Sequence, residues 1–341
     1  MKLPDAYHTT VNLIDKYHES VADKPRPHMG CSLLGHHCDR WLWLNFRWAV
    51  VEQFQGRVLR MFRRGRMEEA VIIADLRAIG IDIKDTFRGK QRSVDFGCHV
   101  SGSLDGIIEK GLPEAPKKRH VVEFKTHGKK SFDDLEKNGV EKSKPMHYIQ
   151  MQVYMAGTKI DRAFYYAICK DDDRIYTERV KYDPEIASKY IERGKRLALA
   201  ERMPPPISSD PTWYQCRFCP AHSFCHKQEP TKHANCRTCA HSTPKEDSTW
   251  RCERHDADGI PVDFQQQGCD DHVLHPDLVP WPMIPSDDGL SVMFKIGDRV
   301  IENGNKPGAY KSREIVVNLD AVGHPVVEEV KQYFPNAEIV G

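Results

Sequence analysis

The sequence lacks the long apolar segments that membrane proteins and secreted proteins carry. No run approaches the roughly 20 apolar residues of a membrane-spanning helix, because the longest apolar cluster, residues 41–51, is interrupted by Asn45 and Arg47. Residues 1–10 contain no apolar block of the kind found in a secretory signal peptide. A composition of 40% hydrophobic and 29% charged residues is still enough to build a core. We therefore expect a globular protein of the cytoplasm, with no membrane partner.

A strong net charge is also absent, at +1 overall, but the charges are unevenly distributed. Residues 1–235 carry 40 Lys and Arg against 31 Asp and Glu, a net charge of +9, and the remainder carries −8. A basic front half suits a polyanionic partner, although uneven solvated faces explain the same numbers equally well. The length of 341 residues exceeds one typical domain, so two or three units are expected.

One acid and one acid–apolar–lysine sequence stand close together in the chain. Asp105 ends a strand-like run, and Glu123, Phe124 and Lys125 lie in a second strand-like run that follows it. Alternate residues of a strand face the same side, so Glu123 and Lys125 share a face and Phe124 points into the core. If the two strands pair, the side chain of Asp105 lies beside those of Glu123 and Lys125. Two carboxylates beside an ammonium group suit a divalent cation held next to a water molecule, which indicates a nuclease active site.

Periodicity around these residues predicts a layered fold. The predicted helices cover residues 5–20, 41–54, 57–79, 145–157 and 184–203. The predicted strands cover residues 120–126, 163–170 and 176–182, and residues 94–108 are predicted as a strand or hairpin that ends near Asp105. Residues 129–139 are charged and are expected to be mobile. This order of elements predicts an α/β (α+β) fold, with a mixed central sheet flanked by helices.

The helix predicted over residues 57–79 carries a charged early turn. Arg63, Arg64 and Arg66 are candidates for contacts with DNA phosphates, and Glu69 is a candidate for pointing toward the acidic site. The alternative for all four is a solvated charged face.

These motifs together resemble the PD-(D/E)XK nuclease superfamily, in its RecB-like and phage-exonuclease branch. That branch shows a glycine followed four residues later by an acid or His, then a Gly-x-x-Asp strand, an acid-x-Lys strand and a Gln-x-x-x-Tyr helix. The matching pairs here are Gly65 and Glu69, Gly102 and Asp105, Glu123 and Lys125, and Gln150 and Tyr154. The resemblance covers residues 60–155 and implies a restriction-endonuclease-like fold.

The resemblance also implies the roles of the acidic residues. Mg²⁺ or Mn²⁺ would bind Asp105, Glu123 and the backbone carbonyl of Phe124, and Glu69 would hold a metal ion or its water. Carboxylate oxygens are the ligands that such hard cations prefer.

The remaining motif residues are expected to act around the metal ion. Lys125 would position the attacking water or stabilise developing negative charge, and Gln150 and Tyr154 would orient Lys125 or the DNA. Gln150 and Tyr154 lie one helical turn apart. Gln152 is a competing choice, but it lies on a different face of the helix from Tyr154.

Eleven cysteines at partly short spacings indicate metal ligands rather than disulfides. Cys216, Cys219 and Cys225 are one thiolate short of a four-ligand cluster. In iron–sulfur nucleases of the RecB-like kind, including the CRISPR-adaptation exonucleases and the AddB subunit, the missing ligand precedes the nuclease core. The resemblance therefore implies a four-iron four-sulfur (4Fe-4S) cluster completed by Cys38. Zinc on the same four sulfurs is the alternative, and Cys31 is an alternative to Cys38.

A second cysteine set predicts a structural zinc site. It consists of Cys236, Cys239, Cys252 and Cys269. Four thiolates would close the site, so no catalysis is expected there. The surrounding segment has few apolar residues, and a metal ion would supply its folding energy. The alternative ligands are His241, His255 and His272.

The chain is expected to divide into three segments. Residues 1–229 form the nuclease core with its N-terminal helices and iron–sulfur clasp, residues 230–284 a Cys-rich zinc-type module, and residues 285–341 a C-terminal accessory unit. The predicted elements of the last segment are strands over residues 290–294 and 314–317 and a helix over 325–334.

The resemblance implies a Mg²⁺- or Mn²⁺-dependent deoxyribonuclease. We expect an exonuclease on linear or single-stranded DNA in recombination, repair or phage DNA processing, inside a bacterium or a phage-infected host cell. Its expected partners are linear duplex or single-stranded DNA and a recombination or replication protein. The alternatives are a catalytically silent nucleic-acid-binding protein scaffolded by metal clusters and an iron–sulfur redox protein. The intact set of Asp105, Glu123 and Lys125 argues against both.

Overall fold

The computed structural model describes residues 9–284, 286 and 289–340. Its α-helices are α1 (Thr9–Ser20), α2 (Asp39–Phe46), α3 (Gly56–Ala78), α4 (Lys129–Ser143), α5 (Pro145–Thr158), α6 (Pro184–Leu199), α7 (Tyr214–Arg217), α8 (His222–His226), α9 (Val262–Gln267), α10 (Ser312–Val317) and α11 (Pro325–Tyr333). Residues 5–8 of the first predicted helix, and residue 285 at the predicted start of the C-terminal segment, lie outside the described residues.

The β-strands alternate with these helices along the chain. They are β1 (Met29–Gly30), β2 (Asp82–Lys84), β3 (Thr86–Phe87), β4 (Lys90–Gln91), β5 (Ser93–Asp95), β6 (Val100–Ser103), β7 (Gly106–Lys110), β8 (His120–His127), β9 (Arg162–Cys169), β10 (Ile175–Lys181), β11 (Ser242–Pro244), β12 (Trp250–Cys252), β13 (Met283–Ile284), β14 (Val292–Ile296) and β15 (Arg299–Asn303).

The chain forms two compact units, each built from separate segments. The first takes the described residues up to His36, Glu52–Phe96 and Val100–Gly194. The second takes His37–Val51, Gly97–His99 and the residues from Lys195 onward. The division after residues 229 and 284 that the sequence suggests stays a prediction.

The first unit is built on a five-stranded sheet in the order β10-β9-β8-β7-β2. Strands β8 and β9 are parallel, with Glu123 opposite Tyr165, and the other neighbouring strands are antiparallel. Strand β7 pairs with β8 so that Gly106 lies opposite Val122. Strand β6, the run that ends before Asp105, belongs to the smaller sheet and does not pair with β8. The pairing with β8 is made by β7, which begins after Asp105, and it brings Asp105 to the middle of β8.

Helix α3 covers one face of this sheet. Its apolar residues Ile72, Ile73 and Leu76 pack with Phe124 of β8 and Tyr166 of β9 in a single core cluster. Phe124 is 3% exposed, which confirms its predicted place in the core. Because side chains alternate along a strand, Glu123 and Lys125 are turned to the opposite face.

Helices α4 and α5 cover that opposite face, α5 over β8 and α4 over β9. The expectation that residues 129–139 are mobile is wrong. These residues belong to α4, and the side chains of Phe132 and Leu135 on this helix are fully buried. A smaller sheet in the order β1-β6-β5 lies beside α5. The unit is a mixed sheet between helices, as predicted.

The second unit has its own core. A three-stranded sheet, β13-β14-β15, contributes Phe294 and Ile301, which pack with Tyr310 and with Ile315 of α10. The strand predicted over residues 314–317 is wrong, since these residues lie in α10. The helix predicted over residues 325–334 is confirmed as α11.

Two buried arginines hold α2 inside the second unit. The guanidinium of Arg47 lies 4.7 Å from the ring centre of Trp43 and 5.5 Å from that of Trp250. Arg237 donates a hydrogen bond to the carbonyl of Phe46 (2.9 Å).

The helix predicted over residues 41–54 is too long. It ends at Phe46, and Trp48 has a left-handed backbone with φ of 52° that breaks the helix.

Among the described residues, no helix combines the length and the apolar character that crossing a membrane requires.

Candidate active site

Asp105 lies in the break between β6 and β7, directly before the residue that pairs with Val122. Its Oδ2 accepts a hydrogen bond from the backbone N–H of Phe124 at 2.8 Å. Burial raises the pKa of Asp105, against the lowering effects of Lys125 and of this hydrogen bond. The structure thus places Asp105 beside the strand that carries Glu123 and Lys125.

Glu123 is a fully buried acid, with 0% of its surface exposed. Its carboxylate is ion-paired with the ammonium group of Lys125, and neither carboxylate oxygen has another hydrogen-bond partner among the described residues. Burial raises the pKa of Glu123 to about 8, with a further rise from Asp105 and a partial offset from Lys125. Two buried carboxylate oxygens with so few partners are unfavourable unless a cation or a proton accompanies them.

Lys125 shares the face of Glu123, as the alternation of β8 predicts. Burial lowers its pKa, but Glu123, Asp105 and Glu69 together outweigh this effect and raise the pKa above its ordinary value. Lys125 is therefore charged in the absence of a metal ion.

Glu69 reaches the same site from α3. Burial and Asp105 raise its pKa to about 7, while Lys125 and Arg66 pull it down. Three acids thus face a single lysine, and the pKa of each acid is raised. Burial is the main cause of each rise, and a divalent cation at the site would favour the charged forms of these acids.

The donor set fits a small hard cation. Within the described residues, no three His, Cys, Asp or Glu side chains form a group that could hold a metal ion by themselves. Mg²⁺ needs no such group, because it typically binds one or two carboxylates and keeps several waters. The metal ligands predicted from the sequence, Asp105, Glu123 and the carbonyl of Phe124, are a set of this kind.

Gln150 and Tyr154 of α5 stand on the same side of the sheet. Gln150 Nε2 donates a hydrogen bond to the Tyr154 hydroxyl at 3.4 Å. Burial raises the pKa of Tyr154, and Glu123 raises it further, so this pair lies near the acids. Gln152 instead bonds the carbonyl of Lys181 and the N–H of Asp183, and its role is structural.

Gly102 is required by the packing of this region. A Cβ atom at this position would lie 2.8 Å from Cys31 Cβ and 3.0 Å from Tyr154 Cε1. The motif glycine therefore allows Cys31 and Tyr154 to close over β6. By contrast, a Cβ at Gly65 would meet only Thr126 Oγ1, at 3.9 Å.

A buried network next to Lys125 was missed by the sequence reasoning. The Tyr165 hydroxyl lies 2.9 Å from His127 Nε2 and 2.9 Å from His147 Nδ1. Burial lowers the pKa of His127 to about 4 and that of His147 to about 3, with further lowering by Lys125. Of these residues, His127 could have been found from the sequence, because the alternation that places Glu123 and Lys125 on one face of β8 continues to His127. Tyr165 and His147 come from distant segments and gave no local signal.

The arginines of α3 line a groove of about 550 Å³. Arg63 Nη1 lies 3.4 Å from His18 Nε2, and Arg66 forms an exposed 3.4 Å ion pair with Asp23. The lining residues are Arg57, Arg60, Met61, Arg63, Arg64, Met67, Glu68 and Val71. Apart from Glu68, the charged residues of the groove are arginines. Its apolar surface comes from the exposed side chains of Met61, Met67 and Val71.

The first cysteine set comes together in the second unit. Cys38, Cys216, Cys219 and Cys225 line one small cavity. Burial, with smaller contributions from Cys38, Cys225 and Cys216, raises the pKa of Cys219 to about 11. Cys31 belongs to the first unit, where burial raises its pKa to about 12.

The second cysteine set also comes together there. Burial raises the pKa of Cys236 to about 12, with further rises from Cys239, Cys269 and Cys252. His272 Nε2 is 2.9 Å from the carbonyl of Asn235. Neither set forms a closed metal-binding group among the described residues, so their metal ions remain predictions.

A comparison with protein families identifies the superfamily of the chain. The model of the PD-(D/E)XK nuclease superfamily matches residues 18–226. The chain belongs to this superfamily, and its mixed sheet between helices is consistent with the restriction-endonuclease-like fold. The chain is therefore a nuclease by family, and nucleases of this superfamily use divalent metal ions such as Mg²⁺ or Mn²⁺.

The other comparisons are more distant. No curated protein matches the chain. A solved structure described as SSO0001 is 14% identical, with a TM-score of 0.40, over 64% of this chain and 96% of that one. An alkaline exonuclease of Laribacter hongkongensis, LHK-Exo, is 14% identical, with a TM-score of 0.35, over 53% and 90%. A phage-related exonuclease of Haemophilus somnus is 18% identical, with a TM-score of 0.27, over 39% and 66%.

Proposed function

We propose that this protein is a Mg²⁺- or Mn²⁺-dependent deoxyribonuclease that acts as an exonuclease on linear or single-stranded DNA. The observation that carries the proposal is the hydrogen bond from the Phe124 N–H to Asp105, which puts two carboxylates and Lys125 side by side. The biological setting we propose is recombination, repair or phage DNA processing in the cytoplasm, with a recombination or replication protein as partner.

Asp105, Glu123 and the carbonyl of Phe124 would hold the cation, and Glu69 would hold it or its water. A divalent cation at this place neutralises charge on the scissile phosphate and lowers the pKa of a nearby water. The raised pKa values of the acids support this assignment, since the site binds positive charge in the form of protons when no metal ion is present.

The chain's own residues would orient the reactants. Lys125, charged and in contact with Glu123, would position the attacking water and stabilise negative charge on the phosphate. The carboxyl group of Glu69, with its pKa near 7, can accept a proton close to neutral pH. Tyr154 and Gln150 would hold Lys125 or the DNA backbone in place.

The arginines of α3 would bind the DNA backbone. Arg63, Arg64 and Arg66 lie on a helix whose other face packs on the active-site sheet. Guanidinium groups pair with phosphates and increase affinity without regard to sequence. The groove that Arg63 and Arg64 line, together with Arg57 and Arg60, suits a DNA strand.

We assign a 4Fe-4S cluster to Cys38, Cys216, Cys219 and Cys225, and a structural Zn²⁺ to Cys236, Cys239, Cys252 and Cys269. The grouping of four thiols in each set supports both assignments. A metal ion would bind these cysteines as thiolates, and their protons would be released to the solvent. Zinc at the first set is the alternative.

The test of the nuclease is digestion of linear DNA with Mg²⁺ or Mn²⁺. We expect the wild-type protein to degrade it and Asp105→Ala and Lys125→Ala to be inactive. Lys110→Ala, at the exposed end of β7, is the matched control and should remain active. If the wild-type protein binds DNA but degrades nothing, it is a silent binding protein instead.

The test of the clusters is metal analysis of protein prepared without oxygen. A brown protein with about four irons per chain is expected. Cys38→Ser should lose this iron and Cys31→Ser should keep it, since Cys31 packs against Gly102 instead. A colourless protein that carries only zinc would replace the iron–sulfur assignment with zinc.

A further inference from the structure

Three aromatic rings next to the first cysteine set are exposed to solvent. Trp213 is 43% exposed, Tyr214 is 67% exposed and Phe218 is 82% exposed. They fall within six consecutive residues, which include α7. We propose that these three residues form a stacking platform for the bases of single-stranded DNA, which rests on the proposed function of the protein as a DNA nuclease.

The backbone of this segment presents the rings outward. Cys216 is buried, and its N–H donates to the carbonyl of Trp213 at 2.8 Å. The N–H of Cys219 in turn donates to the carbonyl of Cys216 at 3.0 Å. Because Cys216 faces inward in this tight turn, Tyr214 and Phe218 on either side of it face solvent.

The rings of Trp213 and Tyr214 contact each other in a tilted arrangement. The ring centres of Trp213 and Tyr214 are 5.0 Å apart, with an angle of 53° between their planes. Trp213 Nε1 donates to Gln215 Oε1 at 3.3 Å, which restricts rotation of the indole. The exposed part of each ring, 43% of Trp213 and 67% of Tyr214, can contact a further planar group.

The charge of the segment selects an anionic strand. Residues 211–228 carry Arg217 and Lys227 and contain no Asp or Glu, and one acid flanks them on each side, Asp210 and Glu229. The guanidinium of Arg217 lies 5.3 Å from the ring centre of Phe218, so a cation for phosphate stands beside a surface for a base. Aromatic residues with arginine are the typical equipment of proteins that bind single strands without sequence preference.

Duplex DNA offers a poorer match to this surface. Its bases are stacked on one another and show no free face, whereas every base of a single strand has one. We therefore expect the DNA substrate to contain at least one unpaired segment that binds to the platform.

The experiment measures binding of a labelled oligo-dT and of a labelled hairpin duplex by fluorescence anisotropy. It uses the full-length Lys125→Ala protein in buffer without added Mg²⁺ or Mn²⁺, so that no hydrolysis occurs and the metal ions of the cysteine sets are retained. Adding Trp213→Ala or Phe218→Ala should weaken oligo-dT binding about tenfold each and leave duplex binding unchanged. Trp213→Phe keeps a ring and should restore most of the affinity.

Phe264→Ala is the matched control, because Phe264 is a 64% exposed aromatic residue on α9, outside the platform. It should bind oligo-dT as the parent does. Unchanged oligo-dT binding in both platform variants, or an equal loss for oligo-dT and duplex, would overturn the proposal.

The outcome is independent of catalysis. If the unmodified protein degrades DNA while the platform variants bind oligo-dT normally, the platform is wrong and the nuclease stands. If the unmodified protein degrades nothing while the variants lose oligo-dT binding, the platform stands and the nuclease is wrong.

Discussion

Asp105 is bound to the neighbouring strand through the backbone of Phe124, by a 2.8 Å hydrogen bond between Oδ2 and the N–H. The acid therefore has two separable properties, a hydrogen-bond acceptor that joins two strands and a charge. Asp105→Asn keeps an acceptor and removes the charge.

For Asp105→Asn we expect DNA hydrolysis to fall about 100-fold or more, with the free energy of unfolding equal or slightly higher, since a buried charge is removed. Asp105→Leu should lose activity and also about 1–3 kcal/mol of stability, because the Phe124 N–H loses its partner. Urea denaturation and a hydrolysis assay measure the two effects. An Asn variant with full activity would contradict the assignment.

The stability of the metal-free protein should depend on pH through Glu123 and Glu69. Their pKa values are raised in the folded state, from 4.5 to about 8 and about 7, so between pH 4.5 and 8 the folded protein holds protons that the unfolded chain releases. The free energy of unfolding should therefore decrease as pH rises through this range, by at most about 1.4 kcal/mol per pH unit for each group.

Urea denaturation in EDTA at several pH values from 5 to 9 tests this dependence. Glu123→Gln cannot ionise, so its stability should depend less on pH than that of the wild-type protein. A wild-type protein that becomes more stable between pH 5 and 8 in EDTA would show that these acids are not held in a proton-binding state.

The two motif glycines should respond oppositely to alanine. Gly102→Ala would push a methyl group against Cys31 and Tyr154, so we expect a loss of about 1–3 kcal/mol. Gly65→Ala has room for the methyl group within α3, so we expect a gain of about 0.5–1 kcal/mol.

Thermal unfolding of the two variants measures the difference in one experiment. A destabilised Gly65→Ala protein would mean that α3 packs more closely on β8 than the 3.9 Å between a Cβ at position 65 and Thr126 Oγ1 indicates. If Gly65→Ala is stabilised and yet degrades DNA poorly, the space above Gly65 belongs to the substrate.

The hydroxyl between His127 and His147 should matter for stability. Both imidazoles are neutral at pH 7, because burial lowers their pKa values to about 4 and about 3. Tyr165→Phe leaves a ring nitrogen of each without its partner, and we expect a loss of about 1–3 kcal/mol. Tyr166→Phe, on the other face of β9 and outside this network, is the matched control. Equal stability of the two variants would mean that the network contributes nothing.

The acids of the site could be predicted because their signals are local or lie in one strand pairing. Alternation along β8 put Glu123 and Lys125 on one face, and the pairing of β7 with β8 brought Asp105 to them. His147 and Tyr165 reach the same place from α5 and β9, and only the folded chain shows that their side chains meet.

The errors in secondary structure have a common physical cause in long-range contacts. Residues 314–317 are rich in β-branched side chains, but Glu314 is fully buried, ion-paired with Lys331 at 3.0 Å and bonded to the N–H of Lys311 at 2.7 Å. These contacts favour the first turn of α10. Likewise, α4 is ordered by Phe132 and Leu135 in the core and by Arg174, which pairs with acids of α4.

The enclosure of α2 has a consequence for the order of events during synthesis. Arg47 donates a hydrogen bond to the carbonyl of Arg237, 190 residues further along the chain. At about 5–20 residues per second, a ribosome needs roughly 10–40 s to deliver this partner. During that interval Trp43, Phe46 and Arg47 have been synthesised without the residues that later bury them, so the nascent chain presents an aromatic surface to chaperones until translation has passed residue 237 of 341.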